Sequence, residues 1–404
     1  MERGRRNISR YHRAQQLQFV GSDTLTLDRY IIKYMFRSLT YIKPQKTIRI
    51  IAKSFSTACQ THINKMVKAK RFVVAKHFQN EPKTTDLQLV EEELPALQTG
   101  EFLVQAEYLS VDPYMRPYVL KYPLGITMIG AQVGKIIESK NSQYPVGKRI
   151  VGYLGWRTHT IVNPQACTEV DLISQKPMLL PDLGNLSPSL CLGVLGMPGN
   201  TAYFGLLEIC KPKQGEILVV SGAAGAVGSH VGQIGKHVLG LTVIGIAGSD
   251  EKCKWLVEEL GFDHAINYKT ENVAVSLRKA APTGIDCYFD NVGGDISSAV
   301  MYQMKPFGRA AVCGSISSYN ADASSLPKAT ILQPVLVFNQ LKMEGFIVSR
   351  WSDRWSEGIQ KNLQWIREGK LRYRETVTKG FENMFDAFVG MLQGKNTGKA
   401  IIQV

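Results

Sequence analysis

The sequence contains 404 residues, of which 44% are hydrophobic and 20% are charged, an ordinary balance for a globular protein with two or three domains. No apolar run reaches the length of about 18 residues that a membrane-spanning helix needs, so we expect no membrane span. The formal net charge is +14, but residues 1–65 alone hold 13 Lys and Arg against 3 Asp and Glu, a net of +10. The remaining residues, 66–404, carry a net charge of only 14 − 10 = +4, which argues against nucleic acid as a partner of this part of the chain.

Residues 1–65 form a basic leader that is rich in Arg, Lys, Ser and Thr and poor in acidic residues. From Met35 onward this composition is typical of a mitochondrial transit peptide, and a disordered leader is the alternative. We therefore predict a cytoplasmic protein, or a protein of the mitochondrial matrix if the leader acts as a transit peptide. In both cases the folded part of the chain is expected to begin near Met66.

Seven cysteines are scattered along the chain, and none forms a Cys-x-x-Cys pair. An odd number without a spacing pattern argues against a disulfide framework and favours a reducing compartment. A structural zinc site needs clustered Cys or His ligands, so the sequence predicts no metal.

Short strands and turns are predicted between residues 66 and 190, where apolar and polar residues alternate at 101–107 and Gly and Pro interrupt the apolar runs. From about residue 191, strand-length apolar runs alternate with helical segments, which predicts a parallel sheet with right-handed crossovers. The strands predicted for this sheet are 216–220, 241–247, 265–267, 286–290, 309–313 and 342–348. The chain then ends in one amphipathic helix and a strand at 399–404.

A glycine pattern gives the strongest local signal. The apolar run at 217–220 leads into Gly222, Gly225 and Gly228, at a spacing of three, and then into an amphipathic helix. Such glycines permit a tight turn and let the backbone approach a pyrophosphate, which binds at the helix N-terminus. Because the strand, turn and helix occur together, the pattern predicts a nucleotide site rather than a purely structural turn.

The segment after the second strand of this unit favours NADPH over NADH. NAD enzymes usually place an Asp or Glu there to bind the ribose hydroxyls, whereas this chain has Gly248 and Ser249. Asp250 follows at the start of the next helix, where an acid suits the helix dipole. Lys252 can bind a 2′-phosphate, although a solvated lysine on a helix face is the alternative.

Five motifs together resemble the prostaglandin reductases, a zinc-free branch of the medium-chain dehydrogenase/reductase superfamily. They are VDPYMR at 111–116, GMPGNTAY at 196–203, AAGAVGS at 223–229, FDNVGG at 289–294 and CGSISS at 313–318. The likeness covers about residues 66–404. It implies an α/β fold with a GroES-like β-rich domain, formed by residues 66–190 and completed by 350–404, and a doubly wound parallel-sheet Rossmann domain at 191–349. It also implies a homodimer and an active site in the cleft between these domains.

The resemblance implies NADPH as the cofactor. The positions that match the family's cofactor contacts by motif are Gly222, Gly225, Ala226, Val227, Gly228, Lys252, Tyr268, Asn291, Cys313, Gly314, Ser315, Ile316, Ser317, Ser318, Tyr319, Phe346, Ile347, Val348 and Asn396.

The reaction implied is reduction of the carbon–carbon double bond of α,β-unsaturated ketones and aldehydes, such as 15-oxoprostaglandins and 2-alkenals. Hydride reaches the β-carbon and negative charge develops on the carbonyl oxygen, so the site needs a hydrogen-bond donor there. We assign this role to Tyr319, because its loop follows the fifth strand at the carboxyl edge of the sheet and a phenol is protonated at neutral pH. A tyrosine that only packs on the cofactor is the alternative, with a ribose hydroxyl or water as the proton source.

Two residues of the VDPYMR motif are candidates for substrate contact. Tyr114 is expected to line the pocket, and Arg116 is expected to attract the carboxylate of a fatty acid. An intramolecular ion pair is an equally good role for Arg116.

Three other functions remain compatible with the sequence. A quinone reductase would share the fold and NADPH, and hydride transfer in reverse would oxidise the hydroxyl of leukotriene B4 with NADP. A non-catalytic nucleotide-binding protein is the alternative of another class, and the intact loop with Tyr319 argues against it.

Overall fold

The computed structural model describes residues 66–167, 176–321 and 330–404, and places Met66–Val404 in one unit. The predictions for the leader therefore lie outside the described residues. In these three segments we find no helix with both the length and the apolar character needed to cross a membrane.

The β-rich part of the protein is built around one long strand, β3 (Phe102–Val111). On one side β3 pairs antiparallel with β4, and on the other side it pairs with the C-terminal strand β15 and the short strand β6. The order in this sheet is β14-β15-β3-β4-β5-β7, and β1 and β2 form a separate antiparallel pair. The remaining strands are β1 (Val67–Val74), β2 (Leu87–Leu94), β4 (Gln132–Ser139), β5 (Arg149–Gly152), β6 (His159–Val162), β7 (Met178–Leu179), β14 (Glu375–Lys379) and β15 (Lys399–Gln403).

Burial along β3 explains its central position. Phe102 and Val104 pack with Ile136 and Ile150 in one apolar cluster. The other end of the strand joins a larger cluster that contains Trp156. A strand that is buried at both ends and paired on both edges provides a rigid base for the residues that follow it. The first of these form the short helix α1 (Met115–Tyr118).

The second sheet contains six parallel strands in the order β10-β9-β8-β11-β12-β13. This is the doubly wound arrangement, in which the chain leaves β8 in one direction and later returns to its other side at β11. The predicted fold class is therefore confirmed. The strands are β8 (Ile217–Ser221), β9 (Thr242–Ala247), β10 (His264–Asn267), β11 (Ile285–Asp290), β12 (Met304–Val312) and β13 (Lys342–Gly345).

Helices cover the parallel sheet and connect its strands. The helix after β8, α3, continues as a π-helical segment over Ile234–Val238, and α2 continues in the same way over Gly205–Cys210. The helices are α2 (Met197–Phe204), α3 (Ala226–Gln233), α4 (Asp250–Glu258), α5 (Val273–Ala280), α6 (Gly294–Met301), α7 (Gln333–Phe338), α8 (Trp355–Arg367) and α9 (Met384–Leu392).

Two strand boundaries differ by more than one residue from those expected from sequence. The fifth strand of the sheet begins at Met304 rather than at residue 309, and the sixth ends at Gly345 rather than at residue 348. The second difference has a clear packing reason. Phe346 packs between the rings of Phe289 and Trp351, and Val348 starts a 3-10 segment, so the chain leaves the ladder after Gly345.

Candidate active site

A cleft of about 950 Å³ lies at the carboxyl ends of β8, β9, β11 and β12. Its opposite wall comes from the segment after β3 and from residues near the start of β15. Most of the residues singled out in the sequence meet here. Those that line the cleft are Tyr114, Gly222, Gly225, Ala226, Val227, Gly228, Lys252, Tyr268, Asn291, Cys313, Gly314, Ile316, Ser317, Tyr319, Phe346, Ile347, Val348 and Asn396.

The glycine loop closes tightly against itself. Gly222 has a φ of +59°, which favours glycine, and a side chain at Gly228 would overlap the carbonyl oxygen of Gly222 and approach Cα of Ala223 to 2.8 Å. Helix α3 starts at Ala226 and has no side-chain cap at Gly225. Its first N–H groups therefore lack a capping side chain, and they and the helix dipole favour an anion at this point.

The segment after β9 carries a cation, and the first acid that follows the strand, Asp250, is engaged by a neighbour. Ser249 caps α4 by accepting a hydrogen bond from the backbone N–H of Lys252 (3.3 Å), while Asp250 accepts one from the side chain of Asn267 (2.6 Å). The Lys252 Nζ donates to the carbonyl of Gly394 (2.6 Å). Burial, followed by the charge of Lys269, lowers the pKa of Lys252, which marks a place where a bound anion would be favourable.

Asp290 organises the loop after β11. Its carboxylate accepts hydrogen bonds from Ser221 Oγ (2.9 Å), from Tyr288 Oη (2.7 Å) and from the backbone N–H groups of Val292 and Gly293. Asn291 faces the cleft, and its side-chain amide donates to the carbonyl of Ser221 (2.7 Å). These hydrogen bonds hold the ends of β8 and β11 together at the edge of the cleft.

Tyr319 follows a 3-10 turn, Ile316–Ser318, and points back into the cleft. Its Oη accepts a hydrogen bond from the backbone N–H of Ser315 (3.2 Å), which leaves its proton available to a cleft ligand. Burial raises the pKa of Tyr319, and the N–H of Ser315 opposes that shift. The phenol is therefore protonated across the neutral range and is placed to donate.

Two serines of this turn have a different role from the one expected. Ser315 and Ser318 do not line the cleft, although both were expected to contact the cofactor. Ser318 Oγ donates to the carbonyl of Ser315 (2.9 Å) and contacts its hydroxyl, so these side chains bond within the turn. Their hydrogen bonds shape the turn that carries Tyr319.

Tyr114 and Arg116, the two candidate substrate residues of the motif after β3, point to different parts of the structure. The Tyr114 hydroxyl is buried at the cleft without a hydrogen-bond partner among the described residues, and burial raises its pKa well above the ordinary value. Arg116 does not line the cleft and is only 2% exposed. Its guanidinium donates to the carbonyl of Asn80 (2.8 Å) and lies 5.4 Å from the centre of the Phe78 ring. The expectation that Arg116 attracts a substrate carboxylate is thus corrected, because the side chain is directed into the β-rich core.

Other cleft residues were missed in the sequence. Tyr118 and Tyr153 line the same region as Tyr114, and Met197 and Trp355 add apolar surface. Tyr118 follows Tyr114 by four residues, a helical spacing that places both on one face, and their rings meet at 5.4 Å. For Tyr153 no local signal exists, because it reaches the cleft only through the pairing of β5 with β4.

One buried titratable group lies on the helix behind the glycine loop. Burial lowers the pKa of His230 to about 4, partly offset by the carbonyl of Ala226. The unfolded chain, with an ordinary histidine pKa near 6.5, binds more protons than the folded chain between these two values, so stability falls as the pH drops through this window.

We expect His230→Leu to weaken this pH dependence. Between pH 7 and pH 5 the unsubstituted chain should lose about 2 kcal/mol more free energy of unfolding than the variant, as judged by urea titrations. His264→Gln, at an exposed position of β10, serves as the control and should retain the full dependence. Parallel curves for His230→Leu and the unsubstituted chain would contradict the expectation.

Comparisons with known proteins agree with this geometry. Residues 70–170 match a family model described as the N-terminal domain of oxidoreductase, and residues 226–364 match one described as zinc-binding dehydrogenase. Prostaglandin reductase 1 of Rattus norvegicus is 48% identical over 340 residues, which is 84% of this chain and 100% of that protein. The chain belongs to the prostaglandin reductase family of medium-chain dehydrogenases/reductases. The resemblance stated from sequence is confirmed.

Two further relatives of this family member are informative. The NADPH-dependent curcumin reductase of Escherichia coli is 39% identical, over 83% of this chain and 96% of that protein. The solved structure of CurA from Vibrio vulnificus in complex with NADPH has a TM-score of 0.76 and 39% identity, and covers 83% of this chain and 99% of that chain. Within the described segments of the present chain, no three His, Cys, Asp or Glu side chains form a group that could hold a metal ion.

Proposed function

We propose that this family member uses NADPH to reduce the carbon–carbon double bond of α,β-unsaturated ketones and aldehydes. The observation that carries the proposal is a single cleft with two chemically different ends. One end has a glycine loop, a helix N-terminus and Lys252, and the other has the hydroxyls of Tyr114 and Tyr319. The first end suits a phosphorylated dinucleotide, and the second suits an oxygen that acquires negative charge.

The residues at the first end fit NADPH. Gly228 packs closely against the backbone of Gly222 and keeps the turn tight, and Gly225 has no side chain to separate its backbone from a pyrophosphate. Lys252 supplies a cation where a 2′-phosphate would lie, and Asp250 is committed to Asn267 rather than to a ribose. The relatives whose names or structures mention NADPH support this choice of cofactor.

NADPH, when bound, supplies the hydride that is added to the β-carbon of the enone. The protein must then stabilise the charge that develops on the carbonyl oxygen. Tyr319 can hydrogen-bond to that oxygen because its own Oη already accepts from Ser315, which fixes the orientation of the phenol. A proton, from Tyr319 or from water, must then reach the α-carbon to complete the saturated product. Tyr114 offers a second buried donor from the opposite wall, with no competing partner among the described residues.

The apolar lining defines the class of substrate. Met197, Phe346 and Trp355 border the cleft together with the tyrosine rings, so an extended hydrocarbon chain can be buried beside the reacting group. We therefore include 15-oxoprostaglandins and 2-alkenals among the substrates, and the likeness to prostaglandin reductase 1 supports them. Oxidation of the leukotriene B4 hydroxyl is a different reaction, in which hydride passes from the carbinol carbon to NADP and the hydroxyl proton is released, and we assign it to the same site.

Assembly and location complete the proposal. A homodimer follows from the resemblance to the family, and sedimentation equilibrium of the purified protein would test it.

We propose a cytoplasmic location, with the mitochondrial matrix as the alternative if residues 1–65 act as a transit peptide. Imaging of the full chain and of residues 66–404, each fused to a fluorescent protein at the C-terminus, would separate the two.

The decisive test is turnover by the purified full chain. NADPH oxidation is followed by the loss of nicotinamide absorbance at about 340 nm. The substrates are a 15-oxoprostaglandin, a medium-chain 2-alkenal and a quinone, and the products are identified by mass spectrometry. Saturation of the enone double bond supports the proposal. Turnover of the quinone alone would favour a quinone reductase, and tight NADPH binding without any turnover would favour a non-catalytic nucleotide-binding protein.

Gly228→Ala should weaken NADPH binding without abolishing folding. The new methyl group would overlap the carbonyl oxygen of Gly222, and the loop must shift to relieve it at a cost of about 1–3 kcal/mol. We expect the Kd of NADPH, measured by fluorescence titration, to rise about tenfold or more. Gly345→Ala, at the exposed end of β13 with open space and no left-handed φ, controls for the added methyl group. An unchanged Kd in Gly228→Ala would argue against the assigned pyrophosphate position.

A further inference from the structure

Lys399 is a buried lysine at the start of β15, and only 3% of it is exposed. Its Nζ donates to the carbonyls of Val111 (2.7 Å) and Ala400 (2.8 Å) and lies 3.1 Å from Oδ1 of Asp112. All three ammonium protons thus have an acceptor. Lysines are almost never fully buried unless they are paired, so this contact has a specific role.

The carboxylate of Asp112 is held on both sides. Ser110 Oγ donates to Oδ2, and Lys399 contacts Oδ1. Asp112 is followed by Pro113, whose ring restricts φ, and then by Tyr114. The position of the carboxylate therefore determines where the Tyr114 side chain enters the cleft. The Tyr114 hydroxyl cannot correct an error in this placement, because no described residue hydrogen-bonds to it.

The residue before Lys399 contacts the opposite wall. The backbone N–H of Gly398 donates to the carbonyl of Ala224 (2.8 Å), and Gly398 forms an isolated parallel bridge with Gly225. Two successive residues of the chain, 398 and 399, therefore hold the glycine loop and the segment that carries Tyr114. Because Gly398 and Lys399 are consecutive, we expect a movement of the glycine loop to move the segment that carries Tyr114 as well.

We propose that Lys399 is a positioning residue. Acting through Asp112, it holds the Tyr114 hydroxyl at the substrate carbonyl and in a fixed position relative to the glycine loop. This inference rests on the proposed function, since it assigns Lys399 to the reduction of enones. Lys399 lines the cleft but acts through its partner, because its three protons are used by the protein. The bond between Gly398 and Ala224 is made by backbone atoms and survives substitution of the Lys399 side chain.

The test is a double-mutant cycle on the full chain with Lys399→Met, Tyr114→Phe and the double variant. We expect Lys399→Met to lower kcat for a 2-alkenal about tenfold while the KM for NADPH changes less than about twofold. In the Tyr114→Phe background the same substitution should change kcat less than about twofold, because the group that it positions is gone. A purely structural lysine would have the same effect in both backgrounds.

A second variant keeps the proposal testable if Lys399→Met does not fold. Asp112→Asn keeps the shape of the side chain and removes its charge, and its effect on kcat should also vanish when Tyr114 is Phe. Lys305→Met is the control, because Lys305 forms a partly exposed ion pair with Asp286 (2.7 Å) that does not line the cleft, and its loss should leave kcat unchanged. Equal effects of Lys399→Met or Asp112→Asn in both backgrounds would overturn the positioning role alone. Absence of enone turnover by the unsubstituted chain would overturn the proposed function as well.

Discussion

Tyr319→Phe is expected to lower kcat for enone reduction by about 100-fold, within the range seen when a proton donor or an oxyanion donor is removed. The phenol is oriented by the N–H of Ser315 and lines the cleft, so the variant loses a donor without losing the ring. The Kd of NADPH should change less than about threefold, because the aromatic surface that can pack on a cofactor is retained. Stopped-flow measurement of NADPH oxidation with a 2-alkenal gives both quantities.

The control and the pH dependence make this prediction specific. Tyr144→Phe removes a hydroxyl that donates to the carbonyl of Pro177 outside the cleft, and should leave kcat unchanged. Because burial raises the pKa of Tyr319 above that of an ordinary tyrosine, deprotonation of this donor should not reduce kcat in the neutral range. A kcat for Tyr319→Phe within about twofold of the unsubstituted chain would assign the proton to another source, such as Tyr114, a ribose hydroxyl or water.

Lys252→Met should discriminate between the two nicotinamide cofactors. The Lys252 ammonium lies at the cleft beside Lys269, and a charge-assisted hydrogen bond to a 2′-phosphate is worth about 1.5–3 kcal/mol. Its loss should raise the Kd of NADPH by about 10- to 100-fold and leave the Kd of NADH unchanged. Isothermal titration of both cofactors at low and moderate salt measures the difference, which should shrink as the salt concentration rises.

Lys254→Met offers a close control for this experiment. Lys254 lies on the same helix, forms an exposed ion pair with Glu258 (3.8 Å) and does not line the cleft. It tests whether the loss of any positive charge from α4 weakens NADPH binding. Equal weakening of NADPH and NADH in Lys252→Met would contradict contact with the 2′-phosphate and leave Lys269 as the candidate cation.

The properties that the sequence alone determined are those carried by local pattern. The glycines at 222, 225 and 228 follow a buried strand, and this spacing predicts the turn, the helix N-terminus and the nucleotide site, all of which depend on neighbours within the same short segment. Gly248 and Ser249 directly after β9, in place of an acid, with Lys252 following, likewise predict a preference for NADPH from adjacent residues. The alternation of strands and helices also predicted a parallel sheet with right-handed crossovers, because crossovers between parallel strands have one hand.

Only the tertiary structure decided which side chains reach the cleft. Tyr114 already has a helical backbone, and at about 100° per residue Arg116 points away from it while Tyr118 returns to the same face. The motif therefore contains both cleft residues, such as Tyr114, and core residues, such as Arg116, and a pattern of letters does not distinguish them. The contact of Lys399 with Asp112, 287 residues apart in the chain, depends in the same way on packing between distant elements. Such contacts are set by how the two sheets fold against each other, and no local rule of sequence contains that information.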